Sequence, residues 1–191
     1  MAMSAGLGLV LSVITAAVLR PAAALPAAIA FTLISCLVVG IELRQHRLSR
    51  GALVVSILVV LTAQAIGATV TAEPDRLFGS VVGGLVACLA VFAVHVASPD
   101  SLSSYEVGYA ALIGTTLGWF GLGRVGLGLG LGLVIGAVSA GPLVLVSRRR
   151  AEAGVLQRPL VTSYAPALAA GAWISLCWGD AIVSWYSATG G

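Results

Sequence analysis

The chain has no lysine, and only 9% of its 191 residues are charged. Soluble globular domains carry about a quarter charged residues, so a water-facing surface on all sides is excluded. The basic balance is arginine alone, and the formal net charge is +3. Those arginines fall between apolar runs, where they mark topology. Nothing forms a basic stripe interleaved with aromatics, so no nucleic-acid partner is expected. Only three cysteines occur, Cys36, Cys88 and Cys177, each inside an apolar run and none near another. That excludes a C-x-x-C metal or redox pair and leaves small buried hydrophobes. Trp173, Trp178 and Trp185 suit an interfacial belt, and spaced tryptophans do not make a cofactor box. No metal or cofactor is expected.

Apolar residues, in contrast, make up 59% of the chain and come in long runs. A bilayer-crossing helix needs ~20 such residues. The expected fold is therefore all-α, a polytopic membrane helix bundle forming one integral membrane domain over 1–191. Seven spans are expected, at about 3–19, 22–42, 51–72, 77–97, 106–122, 125–147 and 160–178. Proline and charge break the runs at Arg20-Pro21, Arg44 to Arg50, Glu73 to Arg76, Ser98 to Asp100, Arg124, and Ser147 to Pro159. The first span lacks the positive n-region of a signal peptide.

Orientation follows from arginines in short loops. One side holds Arg44, Arg47, Arg50, Arg148, Arg149, Arg150 and Arg158, and the other holds Arg20, Arg76 and Arg124. The N-terminus is expected in the cytoplasm and the C-terminus outside. Glu42 then closes span two and Glu106 opens span five at one membrane depth. Ser163, Tyr164 and Pro166, at the start of span seven, reach that level too.

Span six begins with Gly126, Gly128, Gly130, Gly132 and Gly136, which form small-xxx-small pairs. Such pairs let helix backbones approach closely in lipid. A nucleotide-binding glycine loop needs a strand before it, and none is expected here.

The two acids have two readings. Intramembrane acids are functional candidates. A facing pair that shares a proton can perform acid–base hydrolysis, one member activating water and the other protonating the leaving group. Alternatively, Glu106 suits the positive end of a helix dipole and Glu42 pairs with Arg44 or Arg47 at the interface. His95, near the cytoplasmic end of span four, either tunes such a pair or sits at the interface. Asp100 reads as a loop or capping residue.

The segments "IELRQHRLSRGAL", "YEVGYAALIGTTLGW" and "SYAPALAAGAW" occur in the order, spacing and topology of the three motifs of type IV prepilin peptidases. These are membrane aspartyl peptidases of the Gly-x-Gly-Asp type, and the resemblance covers residues 22–178. It implies a six-helix core preceded by an extra N-terminal helix. It places Glu42 and Glu106 at the two catalytic aspartate positions. Leu43, Arg44, Arg47 and Leu48 match the pattern after the first acid. Ala110, Ala111, Leu112, Gly114, Leu117, Gly118 and Trp119 match that after the second, and Pro166 matches the last motif. Arg44, Arg47, His95, Tyr105, Tyr164 and Pro166 are thereby candidate supporting or substrate-binding residues.

The differences fall around the acids. Both aspartates are glutamates, Ser103 and Tyr105 replace glycines, Gly108 replaces a basic residue, and Ser49 replaces a proline. A carboxylate moved by about 1 Å can lose on the order of 10²-fold in rate. The expectation is a prepilin-peptidase-like protein of the plasma membrane whose peptidase activity is lost or altered. The alternatives are an active Glu-dyad prepilin endopeptidase and a small-solute permease or helix-packing partner. No methyltransferase activity is expected, because no cysteine-paired cytoplasmic segment is present. The expected partners are membrane lipid and a prepilin-like peptide.

Overall fold

The computed structural model describes residues 2–19, 25–45, 50–97, 103–152 and 163–189. Seven α-helices account for nearly all of them: α1 Ala2–Leu19, α2 Leu25–Gln45, α3 Arg50–Thr71, α4 Pro74–Ala97, α5 Ser104–Gly118, α6 Leu122–Glu152 and α7 Ala165–Thr189. Among the described residues there is no strand.

Local chemistry fixes the helix ends. Helix α3 stops at Ala72, whose φ of 57° lies in the left-handed region. The Glu73 N–H then donates to the Ala68 carbonyl at 3.1 Å, closing a Schellman-type turn. Pro74 opens α4, where its missing N–H and fixed φ do no harm. Glu73 and Arg76 pair across this turn at 2.9 Å, but both are about half exposed and contribute little. Between α5 and α6 the chain turns at Gly121, φ 118°, a conformation that suits glycine. Its carbonyl accepts the Arg124 N–H at 3.1 Å as α6 begins.

Helix α5 is the hub. It packs against α2, α3, α4, α6 and α7, and Tyr109, Ala110, Leu112, Ile113 and Leu117 along it are fully buried. At 15 residues and 1.5 Å per residue it is about 22 Å long, less than the ~30 Å hydrocarbon core of a bilayer. The expected span of 106–122 is thus a short helix enclosed by its neighbours. Among the described residues, four helices are long and apolar enough to cross a membrane, through Gly51–Thr71, Pro74–Ala97, Leu122–Ala140 and Ala165–Tyr186. Helices α1 and α2 contain the shorter apolar stretches Gly8–Val18 and Leu25–Ile41. The outward faces are apolar, with Leu58, Val70, Phe78 and Val138 mostly exposed. Such a surface belongs in lipid, and the chain is an integral membrane protein.

Two glycine seams hold the bundle. On α4, Gly79 and Gly83 lie against Gly118 and Gly114 of the antiparallel α5. A Cβ at Gly83 would stand 2.5 Å from the Gly114 carbonyl oxygen and 2.8 Å from the Gly118 Cα. On α6, Gly128, Gly132 and Gly136 receive α7, and a Cβ at Gly132 would stand 2.8 Å from the Leu168 Cα. Of the five α6 glycines expected to pack, Gly126 and Gly130 meet nothing within 4 Å. Their side of α6 faces away from α7.

Two helices also run past their expected ends. Helix α6 continues through Arg148, Arg149 and Arg150 to Glu152, and α7 runs to Thr189, beyond the expected limit of the core at 178. Helix α1 packs on α2 and α7, and the Trp173 indole donates to the Thr15 hydroxyl at 3.1 Å. It is therefore joined to the rest of the bundle.

Candidate functional site

Glu106 lies in the first turn of α5 and is 2% exposed. A helix start leaves four N–H groups without internal partners, and a carboxylate there meets both those donors and the positive dipole end. The sequence Ser103-Ser104-Tyr105-Glu106 is a capping-box pattern. Its return half is formed: the Ser103 N–H donates to Glu106 Oε2 at 2.6 Å. The Ser103 hydroxyl donates to the same oxygen at 3.1 Å.

The other carboxylate oxygen leaves its own helix. Glu106 Oε1 accepts the N–H of Tyr164, 58 residues away, at 2.6 Å. Tyr164 immediately precedes α7, so one carboxylate caps two helix starts. A parallel link runs beside it, where the Tyr105 and Ser163 hydroxyls share a hydrogen bond at 3.0 Å. Ser163 Oγ also accepts the Ala165 N–H at 3.2 Å, capping α7 from within. The Tyr164 ring covers Gly136 of α6, so closely that a Cβ there would overlap ring carbons. The starts of α5 and α7 and the later part of α6 are thus tied at one point.

The structure brings Glu106 and Tyr105 to the Ser163-Tyr164 segment. Pro166 follows in the first turn of α7. His95 lies in the last turn of α4, half-buried, its ring centroid 6.5 Å from that of Phe92. Glu42 and Arg44 belong to the last turn of α2, but their side chains lie outside the described residues, as does the whole of Arg47. The expected pairing of Glu42 with Glu106 therefore also lies outside the described residues.

Chemically, Glu106 is an anchor. An ionised carboxylate offers about four acceptor positions, and three donors already fill most of Glu106's. Hydrogen bonds to a charged group contribute about 1.5–3 kcal/mol each, so the clamp is a substantial local stabiliser. Little acceptor capacity is left for orienting an attacking water.

Two polar features escape sequence reasoning. Gln64 of α3 is 1% exposed and donates its Nε2–H to the Thr115 carbonyl on α5 at 3.1 Å. A lone glutamine in an apolar run gives no sign of its partner. At the opposite end of the bundle from Glu106, the Arg124 Nε–H donates to Asp180 Oδ1 at 2.9 Å and its NH1 to the Leu176 carbonyl at 3.3 Å. The same guanidinium lies 4.7 Å over the Phe120 ring, a cation–π contact.

Family models, curated proteins and solved structures were each compared with the chain, and none matches it.

Proposed function

We propose that this protein is a prepilin-peptidase-like membrane protein whose peptidase activity is lost or altered. The observation that carries this reading is the use of Glu106. It stands at the second acid position of the resemblance, and its carboxylate is committed to the Ser103 and Tyr164 amides. Tyr105, at a position where those peptidases have glycine, is committed to Ser163. Both departures from the motif thus have a structural use, where an active site needs a free acid and room for a peptide backbone.

In this reading all seven helices cross the membrane, with α5 shielded inside the bundle. The seven-arginine end faces the cytoplasm, which puts Glu106 and Tyr164 on that side of a plasma membrane. The lipid contact is direct, through the exposed apolar faces of α3, α4 and α6.

The test is cleavage of a type IV prepilin by the purified protein in lipid vesicles, beside Glu42→Gln and Glu106→Gln variants. The expected result is no cleavage, or slow cleavage insensitive to both substitutions. Efficient cleavage abolished by either substitution would make the protein an active Glu-dyad peptidase and overturn the reading.

A further inference from the structure

Charge is unevenly divided between the two ends of the bundle. Among the described residues, the Glu106 end carries Arg44, Arg50, Arg148, Arg149 and Arg150 against Glu42, Glu106 and Glu152. Helix α3 starts at this end, since Leu53 lies beside Gly108 of α5 and Gln64 reaches Thr115. A short link joins its first residue, Arg50, to Gln45 at the end of α2. The opposite end carries Arg76 and Arg124 against Glu73, Asp75 and Asp180. There each arginine has an acid beside it, Glu73 for Arg76 and Asp180 for Arg124. At the Glu106 end arginines outnumber acids, and the Glu106 carboxylate is already committed to the Ser103 and Tyr164 amides.

Most of that excess sits on α6. Its glycines pack on α7 as far as Gly136, which the Tyr164 ring covers. The chain then continues as helix to Glu152, and Arg148 lies about 18 Å beyond Gly136 along the axis. From Arg124 to Arg148 the helix covers at most about 36 Å. The Arg124–Asp180 pair, with Asp180 mostly exposed, marks one edge of the apolar zone, because an exposed carboxylate is costly in hydrocarbon. About 36 Å exceeds the ~30 Å hydrocarbon core and falls within the ~40–45 Å of the whole bilayer. Arg148, Arg149 and Arg150 thus stand at the height of the other headgroup layer. Three consecutive residues spread over about 200° of a helix, so no single neighbouring helix covers all three.

Orientation alone asks only for positive charge in a flanking loop. A triplet held by a helix at headgroup height also meets phosphate groups. The guanidinium presents paired N–H donors that fit phosphate oxygens, and the chain has no lysine. We propose that Arg148, Arg149 and Arg150 bind the headgroups of anionic phospholipids, with Arg44 and Arg50 adding to the attraction. Each basic residue near an anionic leaflet favours the contact by about fivefold. The site uses neither Glu42 nor Glu106, so it stands or falls separately from the peptidase reading.

The test is electron spin resonance of spin-labelled lipids in phosphatidylcholine vesicles that hold the full chain. Lipid against the protein is motionally restricted, and its share gives the association of phosphatidylglycerol relative to phosphatidylcholine. The expected result is a severalfold preference for phosphatidylglycerol at low salt, reduced at high salt by screening. Arg148→Gln, Arg149→Gln and Arg150→Gln together should remove most of it, because glutamine keeps the helix and not the charge. Arg76→Gln, at the other end, should leave it unchanged. Glycerol 3-phosphate, which carries the phosphate without acyl chains, should not compete. Equal association of the two lipids with the natural protein overturns the proposal, whether or not a variant folds. A preference that survives the triple substitution, or that is lost with Arg76→Gln, overturns it as well. Displacement by glycerol 3-phosphate would make the triplet a site for soluble phosphate esters and overturn the lipid assignment.

Discussion

Ala72 and Glu106 close two helix ends at very different free energies. Ala72 sits at φ 57°, where a Cβ is crowded and only glycine is at ease. Ala72→Gly is predicted to raise stability by about 1 kcal/mol, net of the extra freedom glycine has in the unfolded chain. Thermal unfolding of the purified protein checks this, and an unchanged or lower midpoint would show that the turn relaxes around alanine. Glu106 is the opposite case, a residue whose side chain suits its position. Half of its role was legible, because an acid opening an apolar run suits a helix dipole. The other half was not. Tyr164 is 58 residues away, and only the packing of α7 beside α5 brings its amide to the carboxylate. At the far end of the bundle, Arg124 is largely buried while Asp180 is mostly exposed. Asp180→Asn keeps an oxygen that can accept from Arg124 but removes the opposing charge, and is predicted to lower the unfolding midpoint. Arg124→Met with Asp180→Asn removes the Arg124 charge as well and should be better tolerated than Asp180→Asn alone. Midpoints in the reverse order would show that water, not Asp180, solvates the guanidinium.

Among the elements, the α4–α5 and α6–α7 pairs depend on glycine at particular positions. Gly83→Leu would drive a side chain into the α5 backbone at Gly114 and Gly118. It is predicted to destabilise by at least the ~1–3 kcal/mol typical of an overpacked interior. Gly126→Ala meets nothing within 4 Å, and alanine is the better helix former by about 1 kcal/mol, so it should be neutral or stabilising. Unfolding midpoints of the two variants in the reverse order would contradict the seam assignment. The glycine run on α6 was conspicuous in the sequence. The spacing Gly79-x-x-x-Gly83 opposite Gly114-x-x-x-Gly118 carried the same signal more quietly. What no spacing reveals is which side of α6 a neighbour occupies, and so Gly126 and Gly130 read like Gly128 and Gly132. Helix existence was legible from apolar runs bounded by charge and proline. Helix ends were less so. The seventh span was expected to end at 178, but α7 continues to Thr189.

At the scale of the molecule, alternation of the helices puts the α3–α4 turn and the starts of α5 and α7 at opposite ends. Single cysteines at positions 73 and 163, in a background lacking Cys36, Cys88 and Cys177, are predicted to react with impermeant reagent from opposite sides of the membrane. Position 163 should react from the cytoplasm. Labelling of both from one side would break the alternation, and labelling of 163 from outside would reverse the arginine rule here. Glu106 joins the starts of two helices, and the most direct test of that clamp is the thermal unfolding of Glu106→Gln in lipid nanodiscs. Glutamine keeps one oxygen but turns an NH2 group toward one of two amide donors, so it cannot satisfy both Ser103 and Tyr164. The predicted result is a loss of about 1–3 kcal/mol, the penalty for stranding a buried donor, with a lower unfolding midpoint. An unchanged midpoint in Glu106→Gln would contradict the clamp and return Glu106 to the position of a free acid.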